Sequence, residues 1–189
     1  MLLLALTGEL LCAQEGTGPA IRAGLGIYLE TPRSSDAFGY YDYPSNRISI
    51  PVRIQNALML EPETGFYYHD EKEWKERESG TMFGLGLSYA AVRGRMVFYP
   101  GIRTGLGLNR RTSDVGGSNE TTSTYSTFLL GPALGVEYFL ADRLSLGGEL
   151  GLKYAKTTLA REPDTSDNGD SDVFWFTDTG VRLRFYFGK

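Results

Sequence analysis

The stretch Asp178-Thr179-Gly180-Val181-Arg182-Leu183-Arg184-Phe185-Tyr186-Phe187 alternates between two kinds of side chain almost without interruption. Thr179, Val181, Leu183, Phe185 and Phe187 share one face, while Asp178, Gly180, Arg182, Arg184 and Tyr186 share the other. A period of two is that of a β-strand, and this one separates an apolar face from a charged one. The same patterning recurs in segments spanning about 20–30, 46–54, 58–68, 81–91, 96–108, 125–139, 144–155 and 173–187. These eight segments predict an all-β fold, an eight-stranded antiparallel up-and-down barrel closed by its first and last strands. The connections alternate between short turns, as at Gln55-Asn56-Ala57, Val92-Arg93-Gly94-Arg95 and Ala141-Asp142-Arg143, and long polar ones. That asymmetry is how membrane barrels are built, with the long loops outside and both termini on the periplasmic side.

Glycine decides which face points inward. Strand one sets Ile21, Ala23, Leu25, Ile27 and Leu29 against Arg22, Gly24, Gly26, Tyr28 and Glu30, and the segment 96–108 sets Phe98, Pro100, Ile102, Leu106 and Leu108 against Tyr99, Gly101, Arg103, Gly105 and Gly107. A soluble lipocalin-like binding barrel would turn that glycine-loaded face to water, where glycine weakens a strand and packs against nothing. Turned inward, glycine leaves the room that a narrow lumen needs for long side chains. The charged residues expected there are Arg22, Glu61, Glu63, Arg103, Glu137, Glu149, Lys153, Arg182 and Arg184. Aromatics fall near strand ends, as interface girdles require: Tyr89, Phe98, Tyr138, Phe185 and Phe187 toward the short turns, and Tyr28, Phe66, Tyr68, Phe83, Tyr125, Tyr154 and Trp175 toward the long loops.

The opening run Met1-Leu2-Leu3-Leu4-Ala5-Leu6 through Leu11-Cys12-Ala13 is too short to span a bilayer as a helix and predicts a secretory leader over residues 1–13, truncated or unusual because no Lys or Arg precedes it. A short segment, 14–19, then leads to the barrel of residues 20–189. Loss of the leader removes Cys12, the one cysteine, so neither disulfides nor thiol chemistry are expected. The net charge of −4 gives no reason to expect nucleic-acid binding.

The terminal strand also resembles the recognition signal of bacterial outer-membrane barrels, which Asp178, Gly180, Leu183 and Phe185 match position by position, with Phe187 as the following aromatic before the chain runs on to Gly188 and Lys189. The chain from Ala20 onward resembles the small eight-stranded barrels of Gram-negative outer membranes, of the OmpA transmembrane domain, OmpX and Ail group. That resemblance implies an outer-membrane location, the barrel-assembly machinery as a partner during biogenesis, lipid and lipopolysaccharide as surroundings, and a monomer.

Function is less constrained. The lumen charges predict an electrostatic plug with a structural or surface-interaction role, and a narrow porin-like channel is the alternative. Lipid A-modifying barrels offer an enzymatic alternative, but they place serine two positions from histidine on a strand. The one histidine, His69, is expected at the start of a polar loop, Asp70 to Glu78, without such a serine, so no catalytic residue is assigned. No cofactor is expected beyond a weak divalent ion such as calcium in segment 164–172, where Asp164, Ser166, Asn168, Asp170 and Asp172 supply oxygens and Gly169 the turn. Trp175 stands where the bidentate Glu of an EF-hand belongs. Loops carrying Tyr40, Tyr41, Tyr43 and Trp74 are candidates to hold a surface ligand.

Overall fold

The structure, a computed structural model, describes residues 21–55 except 31–45, residues 57–71, 76–113, 120–162 and 169–187. Ten strand segments run in chain order: β1 (Ile21–Glu30), β2 (Asn46–Ser49), β3 (Val52–Ile54), β4 (Leu58–Glu71), β5 (Glu76–Tyr89), β6 (Ala91–Arg93), β7 (Met96–Ser113), β8 (Thr121–Phe139), β9 (Leu144–Glu162) and β10 (Ser171–Tyr186). They make eight staves, because β2 and β3 are one stave interrupted at Ile50 and Pro51, and β5 and β6 are one interrupted at Ala90. Pro51 has no N–H to give a neighbour, yet its carbonyl still accepts from the Gly24 amide at 2.9 Å, so the stave continues through the break. Every neighbouring pair is antiparallel, and β10 pairs with β1 from Gly24↔Tyr186 to Glu30↔Gly180, which closes the ring. Within these paired registers the ring has no open edge among the described residues.

The outer wall is apolar. Along β7, Met96, Phe98, Ile102, Leu106 and Leu108 are exposed, and the band they span corresponds to about 40 Å of strand, or roughly 30 Å of height at the tilt usual for barrels. Threonines that interrupt this wall satisfy themselves on the neighbouring backbone: Thr64 donates to the Met82 carbonyl and Thr104 to that of Leu129, each at 3.0 Å. Aromatics ring both margins, with Tyr89, Phe98, Tyr138, Phe185 and Phe187 on the short-turn side and Phe66, Tyr68, Phe83 and Trp175 on the other.

The structure corrects the expected girdle at two positions. Tyr28 and Tyr125 point into the lumen and are buried, so neither touches the lipid-facing wall. Strand ends are corrected too. On both sides of the connection expected as a polar loop the strands continue, with Tyr67↔Gly80 through Glu71↔Glu76 still paired, and β7, β8 and β9 reach Ser113, Thr121 and Glu162. His69 accordingly sits in a strand, exposed and opposite Glu78, rather than in a loop. On the short-turn side the β6–β7 connection is a two-residue hairpin, Arg93↔Met96, in which Gly94 has φ 61°. Positive φ at the first central position is the requirement of a type II′ turn, which glycine meets without strain.

Candidate functional site

The lumen is filled in layers. Nearest the short turns, Met59, Ala90, Val97 and Tyr99 form a buried apolar cluster, with Val92 and Phe139 against it. Farther up, Met82, Leu129 and Ala155 form a second, with Phe174 and Phe176 against it. Between the two clusters lies a belt of buried charge.

Glu61 of β4 is the centre of this belt and is 1% exposed. It accepts from Arg103 Nη2 at 2.6 Å, from Arg184 Nε at 3.0 Å and Nη2 at 2.9 Å, and from Ser49 Oγ at 2.9 Å, while Arg182 Nη1 lies 3.0 Å away. Glu149 of β9 is shared by Arg103 and Arg182, whose nitrogens approach to between 2.6 and 2.9 Å. Glu137 of β8 accepts from Arg184 at 3.1 Å, from the Tyr186 hydroxyl at 3.2 Å and from Ser145. Guanidinium forks suit this sharing, since each offers several donors in one plane.

A second group sits toward the longer-stranded side. Arg47 of β2 bridges Glu63 and Glu30, at 3.0 Å each, and Lys153 donates to Asp178 at 2.5 Å. Arg47 and Arg182 lie over the faces of the Tyr28 ring at 4.1 and 4.3 Å from its centroid. Glycine makes the packing possible: a Cβ on Gly84 would meet the Glu63 side chain, one on Gly86 would meet Arg103, one on Gly151 would meet Asp178, and one on Gly135 would overlap the Tyr99 ring.

Of the charged residues expected inside, Glu61, Glu63, Arg103, Glu137, Glu149, Lys153, Arg182 and Arg184 are buried together, whereas Arg22 lies half-buried at the short-turn mouth. Arg47, Arg53, Glu30 and Asp178 also belong to the interior. The signal for Arg47 and Arg53 lay in the alternation of Arg47, Ser49, Pro51 and Arg53 along one face, while Glu30 and Asp178 share the inward faces of Arg22 and Arg182. Asp178 and Gly180 of the terminal signal face inward, and Leu183, Phe185 and Phe187 face out. Of the expected calcium oxygens, Asp164, Ser166 and Asn168 lie outside the described residues, while Asp170 and Asp172 are exposed beside and on β10. Among the described residues no three acidic, His or Cys side chains converge as a metal site. Tyr40, Tyr41, Tyr43 and Trp74 are outside the described residues.

A closed ring of strands with an apolar wall, aromatic margins and charges inside is the architecture of an outer-membrane protein. The sequence model of the outer membrane protein beta-barrel domain matches residues 1–187. The chain belongs to this family. As an outer membrane protein beta-barrel it resides in the outer membrane of a Gram-negative bacterium. Its fold is similar to that of a major outer membrane protein from Thermus thermophilus, with 18% identity, a TM-score of 0.54, and 89% of this chain and 100% of that one covered. It is likewise similar to Neisserial surface protein A, with 19% identity, a TM-score of 0.51, and 89% and 98% covered. Among curated protein sequences, none matches significantly.

Proposed function

We propose that this outer membrane protein beta-barrel is a closed, non-conducting and non-enzymatic frame whose role is structural or lies in surface interaction. The single observation that carries this reading is the filled lumen: a belt in which Glu61, Glu137 and Glu149 are each held by arginine, bounded by an apolar cluster on either side. An ion following the axis would have to break buried pairs and then cross apolar layers, which is unfavourable at every step. Eight strands leave just enough interior for side chains. The enzymatic alternative finds little support, since Tyr67 and Glu71, and no serine, flank His69 at two positions along its strand.

The interacting parts are then the segments that join the staves on the longer-stranded side, 31–45, 72–75, 114–119 and 163–168, which would meet a surface ligand or lipopolysaccharide. The acidic segment 164–172 would hold calcium weakly, a property that calorimetry at millimolar calcium tests directly. A monomer inserted by the barrel-assembly machinery completes the reading. Planar-bilayer recording of the refolded protein is the decisive experiment. A quiet baseline is expected, and large, steady, ion-selective steps would overturn the closed frame. Incubation with lipopolysaccharide is expected to release or transfer no acyl chain.

A further inference from the structure

The short-turn mouth breaks the rule that governs the rest of the interior. Arg47, Arg103, Lys153, Arg182 and Arg184 each contact a carboxylate. Arg53 of β3 is as deeply buried, at 3% exposed, yet makes no ion pair among the described residues, and its Nε has no hydrogen-bond partner. Arg22 of β1 is its direct partner across the strand pair. Arg22 donates to the backbone carbonyl of Asp142 at 2.5 Å, and its Nε is likewise buried without a partner. Both guanidiniums rest on the same two rings, Phe139 and Tyr186, stacked with centroids 5.6 Å apart. Arg22 lies 5.8 and 5.4 Å from those centroids and Arg53 lies 5.8 and 5.9 Å from them.

Two cations set opposite each other across a strand pair repel, and a buried unpaired charge is costly. The ring platform orients the guanidiniums but cannot neutralise them. Glu137, which reaches this layer through the Tyr186 hydroxyl, is already taken by Arg184 and Ser145. The surroundings add positive charge. The Arg95 carbonyl accepts from the Phe139 amide at 2.9 Å and the Arg143 carbonyl from the Tyr186 amide at 2.7 Å, so the turns that frame the platform carry Arg93, Arg95 and Arg143 against Asp142 alone among the described residues. Such a mouth concentrates anions.

We propose that the short-turn mouth is a binding site for a small phosphate-bearing anion, with Arg22 and Arg53 as the two forks and the Phe139–Tyr186 pair as the floor. Phosphate fits because its oxygens diverge enough to accept from two guanidiniums at once. The anion enters from the aqueous side, since Arg53 lies inside the ring of strands, where a lipid headgroup anchored outside the wall does not reach.

The test uses the full chain refolded in uncharged maltoside micelles and titrated with sodium phosphate in a calorimeter at constant ionic strength. The wild type is compared with Arg53→Gln, Arg22→Gln and Arg53→Lys, each first shown to be folded by its heat-dependent gel mobility. Saturable phosphate binding is expected, weakened about tenfold or more in both Gln variants and less in Arg53→Lys, which keeps the charge and loses the fork. A parallel arm omits free phosphate and offers phosphatidylcholine vesicles with and without phosphatidylglycerol. Absence of saturable binding by the folded wild type overturns the site, as does unchanged affinity in Arg22→Gln, the half-buried position that decides the matter if Arg53→Gln does not fold. Binding confined to phosphatidylglycerol vesicles overturns the aqueous source.

Discussion

Replacing Glu61 by Gln removes one negative charge from the centre of the lumen while leaving its shape almost unchanged. In the wild type, Glu61, Glu137 and Glu149 face Arg103, Arg182 and Arg184, and among the described residues Glu61 is the one carboxylate that contacts all three of these arginines. The substitution leaves the belt one charge positive and turns an amide donor toward guanidiniums that have only donors to offer. Breaking a buried pair by removing one partner costs about 3–5 kcal/mol, against about 0–1 kcal/mol for an exposed pair. Glu61 belongs at the upper end of the buried range, because its loss leaves more than one cation short of an acceptor. Equilibrium unfolding by denaturant in lipid vesicles would measure this, with Trp175 on the outer wall, edge-on to Tyr154 at 5.5 Å, reporting loss of the lipid-facing environment. Adding Arg182→Gln to Glu61→Gln restores the charge count and is expected to recover part of the loss, so the two changes are non-additive. A Glu61→Gln variant within about 0.5 kcal/mol of wild type would refute the reasoning, since the charges would then be solvated and the lumen wet.

Other positions give equally direct expectations. Lys153→Met alone should destabilise the fold by about 3 kcal/mol by leaving Asp178 only its longer contact with Arg47 at 3.8 Å, and Lys153→Met with Asp178→Leu should regain most of it, as read from the same unfolding curves. Ile102→Arg on the lipid face near the middle of the band should cost about 2–4 kcal/mol, whereas a Glu76→Gln change in the partly exposed pair with Arg111 should cost under about 1 kcal/mol. Gly135→Val should lower the folded fraction on unheated gels sharply, because its side chain would occupy the space of the Tyr99 ring, and Gly135→Val with Tyr99→Ala should recover part of that fraction.

The sequence is most legible where one face meets lipid. On β10, β1 and β7 the alternation names the wall and the interior residue by residue, and the glycines identify which face is inside. Legibility fails above the band for a physical reason. Glu76 to Gly80, Arg110 to Ser113, Thr121 to Thr124 and Lys156 to Glu162 are strands wetted on the outside, so polar residues suffice on the outer face and the period of two fades while pairing continues. Tyr28 and Tyr125 depart from the expectation because an aromatic near a strand end suits a girdle and a lumen equally well until its parity with Arg22 or Leu129 is imposed. The apolar layer of Met82, Leu129, Ala155, Phe174 and Phe176 escapes sequence reasoning for a related reason, since a charged interior gives no warning of an apolar stratum within it. Partner choice in the belt is not readable at all. Whether Arg184 joins Glu61 or Glu137 depends on stagger between strands far apart in the chain.

The route by which Glu61 acquires its partners also sets an order of events. Arg103 reaches it from β7, but Arg182 and Arg184 arrive on β10, with Arg184 separated from Glu61 by 123 positions. A chain that has laid down β1 through β9 still holds Glu61, Glu137 and Glu149 without the arginines of the final strand, and water must serve them until that strand docks on β1. Drying of the interior therefore waits on closure of the ring, which joins the most distant parts of the chain. An unclosed sheet in the bilayer would be penalised twice, at its open edges and at its unanswered carboxylates, which leaves the assembling protein little to populate between the open sheet and the finished barrel.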